Sequence, residues 1–313
     1  MPKTGKEYIL FTVDVEDWFQ VENLKGAIPL SSWPECELRV ERNTHLLLDL
    51  LDSIDSTAGR PGKATFFVLG WIAERLPALV REIQNRGHEV ASHGYGHALC
   101  HGQEECDLIE DLCRSKKTLE DITGRPVTGY RAPSFSITPQ VLEIVCECGY
   151  RYDSSFNSFQ LNKRYGHIPL TETDRKGLAY CVKEDFYEIP ISNLNLWGKQ
   201  LPLGGGGYFR LVPFALFHLG IRSLLNRDKG YMFYLHPWEL DPEQPRVQEI
   251  SPFSQFRHYV NLNRTETKVQ AFLQAFKNRE FLTCTDYLER QKSFPCAAHQ
   301  QPGGEAAFAH TYS

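Results

Sequence analysis

Short apolar runs recur along this chain, each followed by polar residues and then by a helical pattern. Tyr8 to Val13 (YILFTV) is apolar almost throughout and ends in acids. Ala64 to Leu69 (ATFFVL), Glu89 to Ser92, Val127 to Arg131, Tyr187 to Ile191 and Tyr231 to Leu235 read as further strands. Between them, Leu46, Leu47, Leu50, Leu51 and Ile54 recur at helical spacing. Ile72 to Arg86 reads as a helix stopped by Gly87, and Glu104 to Ile122 as one stopped by Gly124. Thr138 to Cys148 carries an N-cap threonine and a proline at its first position. Alternation from Tyr8 to Leu235 predicts a parallel sheet closed as a barrel, with chemistry at the C-terminal ends of the strands.

The rest is less regular. Asn157 to Gly177 reads as a loop, Leu201 to Tyr208 (LPLGGGGY) as a Gly-rich loop, and Pro242 to Asn263 as polar chain without periodicity. Val269 to Phe276 and Phe281 to Thr285 read as a short helix and a short strand. The expected organisation is a barrel over residues 1–240, an extension over 241–290 packed on it, and a disordered polar tail over 291–313.

The net charge of −5 gives no basic excess, so neither nucleic acid nor an anionic polymer is the expected partner. The nine cysteines lack framework spacing; Cys100, Cys106, Cys113, Cys146 and Cys148 read as small core residues in a reducing compartment, with no disulfide. No basic-plus-apolar leader and no membrane-length apolar run is seen, which gives the expectation of a cytoplasmic protein.

The chemistry concentrates at strand ends. Ser92-His93-Gly94-Tyr95-Gly96-His97 places two histidines four apart among glycines that let the backbone bend until both rings converge on one ion. Asp14, Glu16 and Asp17 follow the first strand, where carboxylates are costly unless paired or bound to metal. Two imidazoles and one carboxylate make a three-ligand catalytic metal site. Arg131 can hold a carboxylate ionised. His236, at the end of Tyr234-Leu235-His236-Pro237-Trp238, is left as a general acid. The bland alternatives are solvated loop histidines, a helix-capping Asp17, a surface guanidinium and a core histidine. For the aromatics Trp18, Trp33, Tyr208 and Trp238, sugar stacking competes with core packing. The glycines Gly204 to Gly207 read as a flexible turn or as a close-approach wall of a cleft, with no helix clearly starting there. On the second reading, alanine at Gly205 and Gly206 would weaken substrate binding and leave the fold intact.

In sequence order the set resembles the NodB-homology polysaccharide deacetylases, carbohydrate esterase family 4. Within them it resembles the exosortase-associated (PEP-CTERM locus) group. That likeness is carried by Thr12-Val13-Asp14-Val15-Glu16-Asp17-Trp18-Phe19, by Gly205-Gly206-Gly207-Tyr208-Phe209-Arg210 and by His236-Pro237-Trp238-Glu239-Leu240-Asp241-Pro242. The resemblance implies an α/β fold, a distorted (β/α) barrel with a C-terminal extension, and removal of N-acetyl groups from an N-acetylated sugar in exopolysaccharide biosynthesis. The substrate would be a polysaccharide or a lipid-linked sugar met inside the cell, at the inner membrane face or as a soluble precursor. By motif position Asp14 is the base, Arg131 its partner, His236 the acid, and His93 and His97 ligands of a divalent metal, Zn2+ first. The family's motif has two adjacent aspartates, and here Val15 follows Asp14. Spacing favours Glu16 as third ligand and chemical identity favours Asp17; both stand. Tyr208, Trp238, Gly206 and Pro133 are the expected substrate contacts. The alternatives are an amidohydrolase of a small cyclic amide, allantoinase-like, and a carbohydrate-binding protein whose site has lapsed.

Overall fold

The structure, a computed structural model, describes residues 6–54, 62–159 and 164–291. The tail expected from 291 onward lies, beyond Gln291, outside the described residues. Strand β1 (Tyr8–Val15) lies between β11 (Gly230–Leu235) and β2 (Ala64–Val68), all parallel. The sheet continues through β3 (Glu89–Ser92), β4 (Gly129–Tyr130), β5 (Tyr152–Asp153) and β8 (Phe186–Glu188). It turns antiparallel at its edge, where β7 (Ala179–Lys183) and β6 (Arg175–Lys176) follow β8. A separate hairpin joins β9 (Asn193–Leu196) to β10 (Lys199–Pro202). The short β12 (Glu280–Phe281) adds to the start of β1.

Among the described residues β8 does not pair with β11, so the barrel is distorted. The gap is spanned by the chain after β8: Met232 N–H donates to Ser192 Oγ at 2.9 Å, and Tyr234 N–H donates to Gly204 O at 2.8 Å. Gly205 then makes a parallel bridge to Tyr234. Alternation along β1 divides its side chains between two cores. Leu10 joins Phe67, Ala91, Tyr152 and Met232 inside the barrel, while Ile9, Phe11, Val13 and Val15 pack outward.

The outer layer is α1 (Val40–Asp52), α2 (Gly70–Arg75), α3 (Pro77–Asn85), α4 (Glu105–Thr123) and α5 (Pro139–Glu147), then α6 (Gly206–Leu211) and α7 (Phe214–Asp228). After residue 241 come α8 (Pro252–Tyr259), α9 (Leu262–Phe276) and α10 (Cys284–Gln291). Phe272 of α9 stacks on Phe233 of β11 with ring centroids 4.9 Å apart. The expected single helix over 72–86 is two, because Pro77 restricts Leu76 and restarts the helix. Helices α6 and α8 form where the glycine run and the polar 242–263 stretch promised none; Ser251 caps α8 by accepting Ser254 N–H. Cys106 and Cys113 are exposed rather than core, and Cys181 is disulfide-bonded, a pairing that nothing in the spacing marks. Among the described residues no helix is long and apolar enough to cross a membrane.

Candidate active site

At the C-terminal ends of β1, β3, β4 and β11, the strands deliver Asp14, Glu16, His93, Arg131 and His236 into one cleft. Asp14 stands on the inward face of β1 with Thr12. Its Oδ1 accepts from Arg131 Nη1 at 2.7 Å. The Arg131 guanidinium is fully buried and fixed on every side. It donates to Thr12 Oγ1, to Ser154 O and to Ser154 Oγ, and lies 4.1 Å from the Phe67 ring. A buried guanidinium so anchored holds the Asp14 carboxylate in place.

Glu16, His93 and His97 are buried, and each offers a ligand atom within 4.8 Å of the others. The loop that carries the histidines is held by Asp111, which accepts Tyr95 N–H at 2.8 Å and Gly96 N–H at 3.0 Å. A Cβ on Gly94 would come within 2.7 Å of Asp111 Oδ2, and Gly94 has φ +76°, so glycine is required there. His97 itself has φ +52°, a strained position held by that loop. The separation that the sequence left open is plain in the structure. Glu16 faces the histidines, with Oε2 3.1 Å from His97 Nε2. Asp17 faces away and accepts backbone N–H groups from Trp18, Arg39 and Val40.

This donor set fits a divalent cation. His93 Nδ1 lies 2.8 Å from Arg131 O, which fixes the proton there and leaves the Nε2 lone pair facing the cluster. Glu16 Oε2 and His97 Nδ1 are buried without a hydrogen-bond partner, although Glu16 Oε2 sits so near His97 Nε2. Two nitrogens and one carboxylate are a common catalytic ligand set. The charges of the cluster act on one another. Burial would raise the Glu16 pKa, but His97 and His236 outweigh it and bring it to about 2. Burial pushes His97 down to about 4, with Glu16 only partly offsetting it.

His236 lies opposite, its Nε2 3.0 Å from Glu16 Oε1 and 3.8 Å from Asp14 Oδ2. Its Nδ1 is 2.8 Å from Glu239 Oε1. Glu239 in turn accepts from Arg210 Nε at 2.6 Å, and Arg210 also donates to the backbone carbonyls of Arg257, His258 and Val260. Burial opposes charge on His236, but Glu16 first and then Glu239 raise its pKa to about 10. Sequence reasoning gave no role to Glu239, Arg210 or Asp111. Glu239 had a signal, because a carboxylate three residues after His236 shares a turn with it.

Gly206, Gly207 and Trp238 line the cleft with Asp14, Glu16, His93, His97 and His236. Trp238 is sandwiched between the rings of His236 and His258, at 5.3 and 4.4 Å. Tyr208 and Pro133 are not brought to the cleft wall. The Tyr208 ring packs on Phe159 at 5.2 Å, and Pro133 is buried at the start of a short 3-10 helix. Trp18 and Trp33 take the core role: Trp18 donates to Glu37 O, and Trp33 packs edge-on against Trp71. The Gly-rich loop is no free turn. A Cβ on Gly205 would fall 1.9 Å from Tyr234 O, so alanine there cannot leave the fold intact.

Residues 42–152, which include His93, His97 and Arg131, match the polysaccharide deacetylase family. That stretch, about a third of the chain, is similar to the polysaccharide deacetylases. Residues 154–289, which include Glu239 and His236, match a domain of unknown function (DUF3473). Among similar proteins, a peptidoglycan deacetylase of Helicobacter pylori is 34% identical over 143 residues, 41% of this chain and 47% of that protein. A peptidoglycan-N-acetylglucosamine deacetylase of Bacillus cereus is 30% identical over 89 residues, 28% of this chain and 41% of that protein. The chain thus spans less than half the length of these relatives. Two crystal structures share the fold. One, from Mycobacterium smegmatis, is provisionally called a polysaccharide deacetylase (TM-score 0.56, 19% identity, 96% of each chain). The other is the Puue allantoinase (TM-score 0.58, 14% identity, 93% of this chain and 92% of that one).

Proposed function

We propose that this chain is a divalent-metal N-deacetylase acting on an N-acetylated sugar, of the exosortase-associated type, working in exopolysaccharide synthesis. The observation that carries the reading is the buried triad of Glu16, His93 and His97 set between Asp14 and His236. Glu16, His93 and His97 would hold the cation, with Zn2+ the first candidate for an N2O donor set. That cation would supply Lewis-acid polarisation of the acetyl carbonyl.

The chain's own residues perform the proton transfers. Asp14, held in place by Arg131, takes the proton of the attacking water. His236 then donates to the departing amine nitrogen, and Glu239 orients its ring through Nδ1. Gly206, Gly207 and Trp238 shape the wall on which the sugar rests.

A cyclic-amide hydrolase that works without metal has no use for a preset carboxylate and two imidazoles at this spacing, and a lapsed binding protein has no use for the Asp14–Arg131 pair. Acetate release from N-acetylglucosamine oligomers, against ring-opened product from allantoin, tests the reading. Turnover of allantoin alone would replace it.

A further inference from the structure

We propose that Asp153 and Glu188 are joined, carboxylate to carboxyl, by one shared proton, and that this pair positions Arg131 and through it Asp14. The second half rests on the deacetylase reading and assigns two positioning residues to that site. Asp153 of β5 stands opposite Glu188 of β8 in parallel register, and both are fully buried. Neither is salt-bridged among the described residues, and their side chains hydrogen-bond to each other.

The oxygens leave a place for one proton. Asp153 Oδ1 accepts from Ser155 Oγ at 2.6 Å, and Oδ2 accepts Ser155 N–H at 3.0 Å. Glu188 Oε1 accepts Phe156 N–H at 2.9 Å, while Oε2 is buried with no N–H or hydroxyl partner. Two ionised carboxylates have no donor between them. A proton on Glu188 Oε2 supplies that donor and removes the repulsion of two like charges in a dry interior. Burial raises the pKa of both groups, and Asp153 raises that of Glu188 further. The titratable groups acting on the pair from neighbouring elements are Arg131, which opposes that rise, and the Cys100 thiol.

The segment that follows Asp153 holds Arg131 twice. Ser154 O and Ser154 Oγ each accept from the guanidinium at 2.9 Å, and Ser155 Oγ accepts the N–H of Ala132, the next residue after Arg131, at 2.8 Å. Ser154 Oγ also donates to Ile189 O, beside Glu188, at 2.8 Å. Asp153 fixes Ser155, and Glu188 fixes Phe156, so the two acids brace this segment against β8. Arg131 passes the placement on through its 2.7 Å bond to Asp14 Oδ1. A displaced guanidinium would move Asp14 away from the water whose proton it takes.

Glu188→Gln separates the alternatives, because its amide keeps both links: an N–H replaces the acid O–H, and the amide oxygen still accepts Phe156 N–H. In D2O at neutral pH, the wild-type infrared spectrum should show a carboxylic-acid C=O band that Glu188→Gln lacks. The urea midpoint of Glu188→Gln should gain on that of the wild type from about pH 5 to about pH 8, because folded Glu188 keeps a proton that the unfolded chain has released. Absence of either difference would overturn the shared proton. For the positioning role, Asp153→Asn offers a single acceptor to the two Ser155 donors. It should lower kcat for acetate release about tenfold or more with KM and ion content retained, whereas Glu188→Gln should stay within about twofold of the wild type. The NMR resonance of Arg131 Nε–H should move in Asp153→Asn and stay in Glu188→Gln. A folded, ion-loaded Asp153→Asn with wild-type kcat and an unmoved Arg131 resonance would overturn the role, as would a tenfold loss in Glu188→Gln with its ion in place. A wild type that releases no acetate would fail the deacetylase reading instead, and the Arg131 resonance would still decide whether the pair holds the arginine.

Discussion

Glu16 and Asp17 are neighbours in sequence and serve opposite sides of the chain. Glu16 Oε2 lies 3.1 Å from His97 Nε2, while Asp17 Oδ2 accepts the N–H groups of Arg39 and Val40 at 2.7 and 2.9 Å. The end of β1 accounts for the split. A tight turn, Glu16 N–H to Asp14 O at 3.0 Å, sends Glu16 into the cleft and leaves Asp17 to cap Trp18–Gln20. Glu16→Gln should therefore empty the cation site, because two imidazoles alone hold a divalent ion poorly. Asp17→Asn should keep the ion and lose about 1–2 kcal/mol of stability. Ion content per chain and urea unfolding check the pair, and the opposite pattern would make Asp17 the ligand.

The Gly-rich loop should behave as part of the barrel wall. Gly205 has φ +136° and no room before Tyr234 O, whereas a Cβ on Gly207 meets nothing nearer than Arg210 Nη2 at 3.7 Å. Gly205→Ala should destabilise by about 3 kcal/mol or more, and Gly207→Ala by less than about 1 kcal/mol. Denaturant midpoints decide; equal tolerance would mean that the Gly205–Tyr234 bridge does not hold the wall.

Glu239 joins His236 to Arg210; its link to Arg210 is buried and its link to His236 part-buried. Glu239→Gln should cost about 3–5 kcal/mol, since Arg210 is left buried without its counter-charge. The same change should lower the His236 pKa, because Glu239 is one of the charges that raise it. An NMR titration of the His236 ring reads this directly. An unmoved ring would deny Glu239 its orienting role.

Buried neutral histidines away from the ligand cluster should make the fold acid-sensitive. Burial lowers the His88 pKa to about 4 and the His258 pKa to about 3. Below about 6.5 the unfolded chain binds protons that these folded groups do not, so stability is fully present above pH 6.5 and falls as pH drops towards 4. His88→Asn keeps an acceptor for Ala64 N–H and should remove up to about 3 kcal/mol of that dependence. An unchanged slope in urea unfolding between pH 6.5 and 4 would assign the acid sensitivity elsewhere.

Much of the frame was legible because parallel strands buried on both faces are apolar almost throughout, as Tyr8–Val13 of β1 and β11 are. The histidine loop was legible from its glycines. The choice between Glu16 and Asp17 was not, because it depends on a single turn after the strand. The Arg210–Glu239 pair spans 29 residues and leaves no periodic trace. Gly205 carries no mark of the strand it bridges. Tyr208, set beside the glycines, looked like a cleft residue until Phe159 supplied its partner.

The most direct test is acetate release from N-acetylated glycans, measured together with divalent-ion content, for the wild type, the chelator-treated protein, His93→Ala and His97→Ala. The expected result is one ion per chain in the wild type, loss of ion and acetate release together in chelator and in both variants, and recovery of the wild type on adding Zn2+. Full acetate release from ion-free protein, or full ion content in either histidine variant, would contradict the assignment of Glu16, His93 and His97 as the metal centre of a deacetylase.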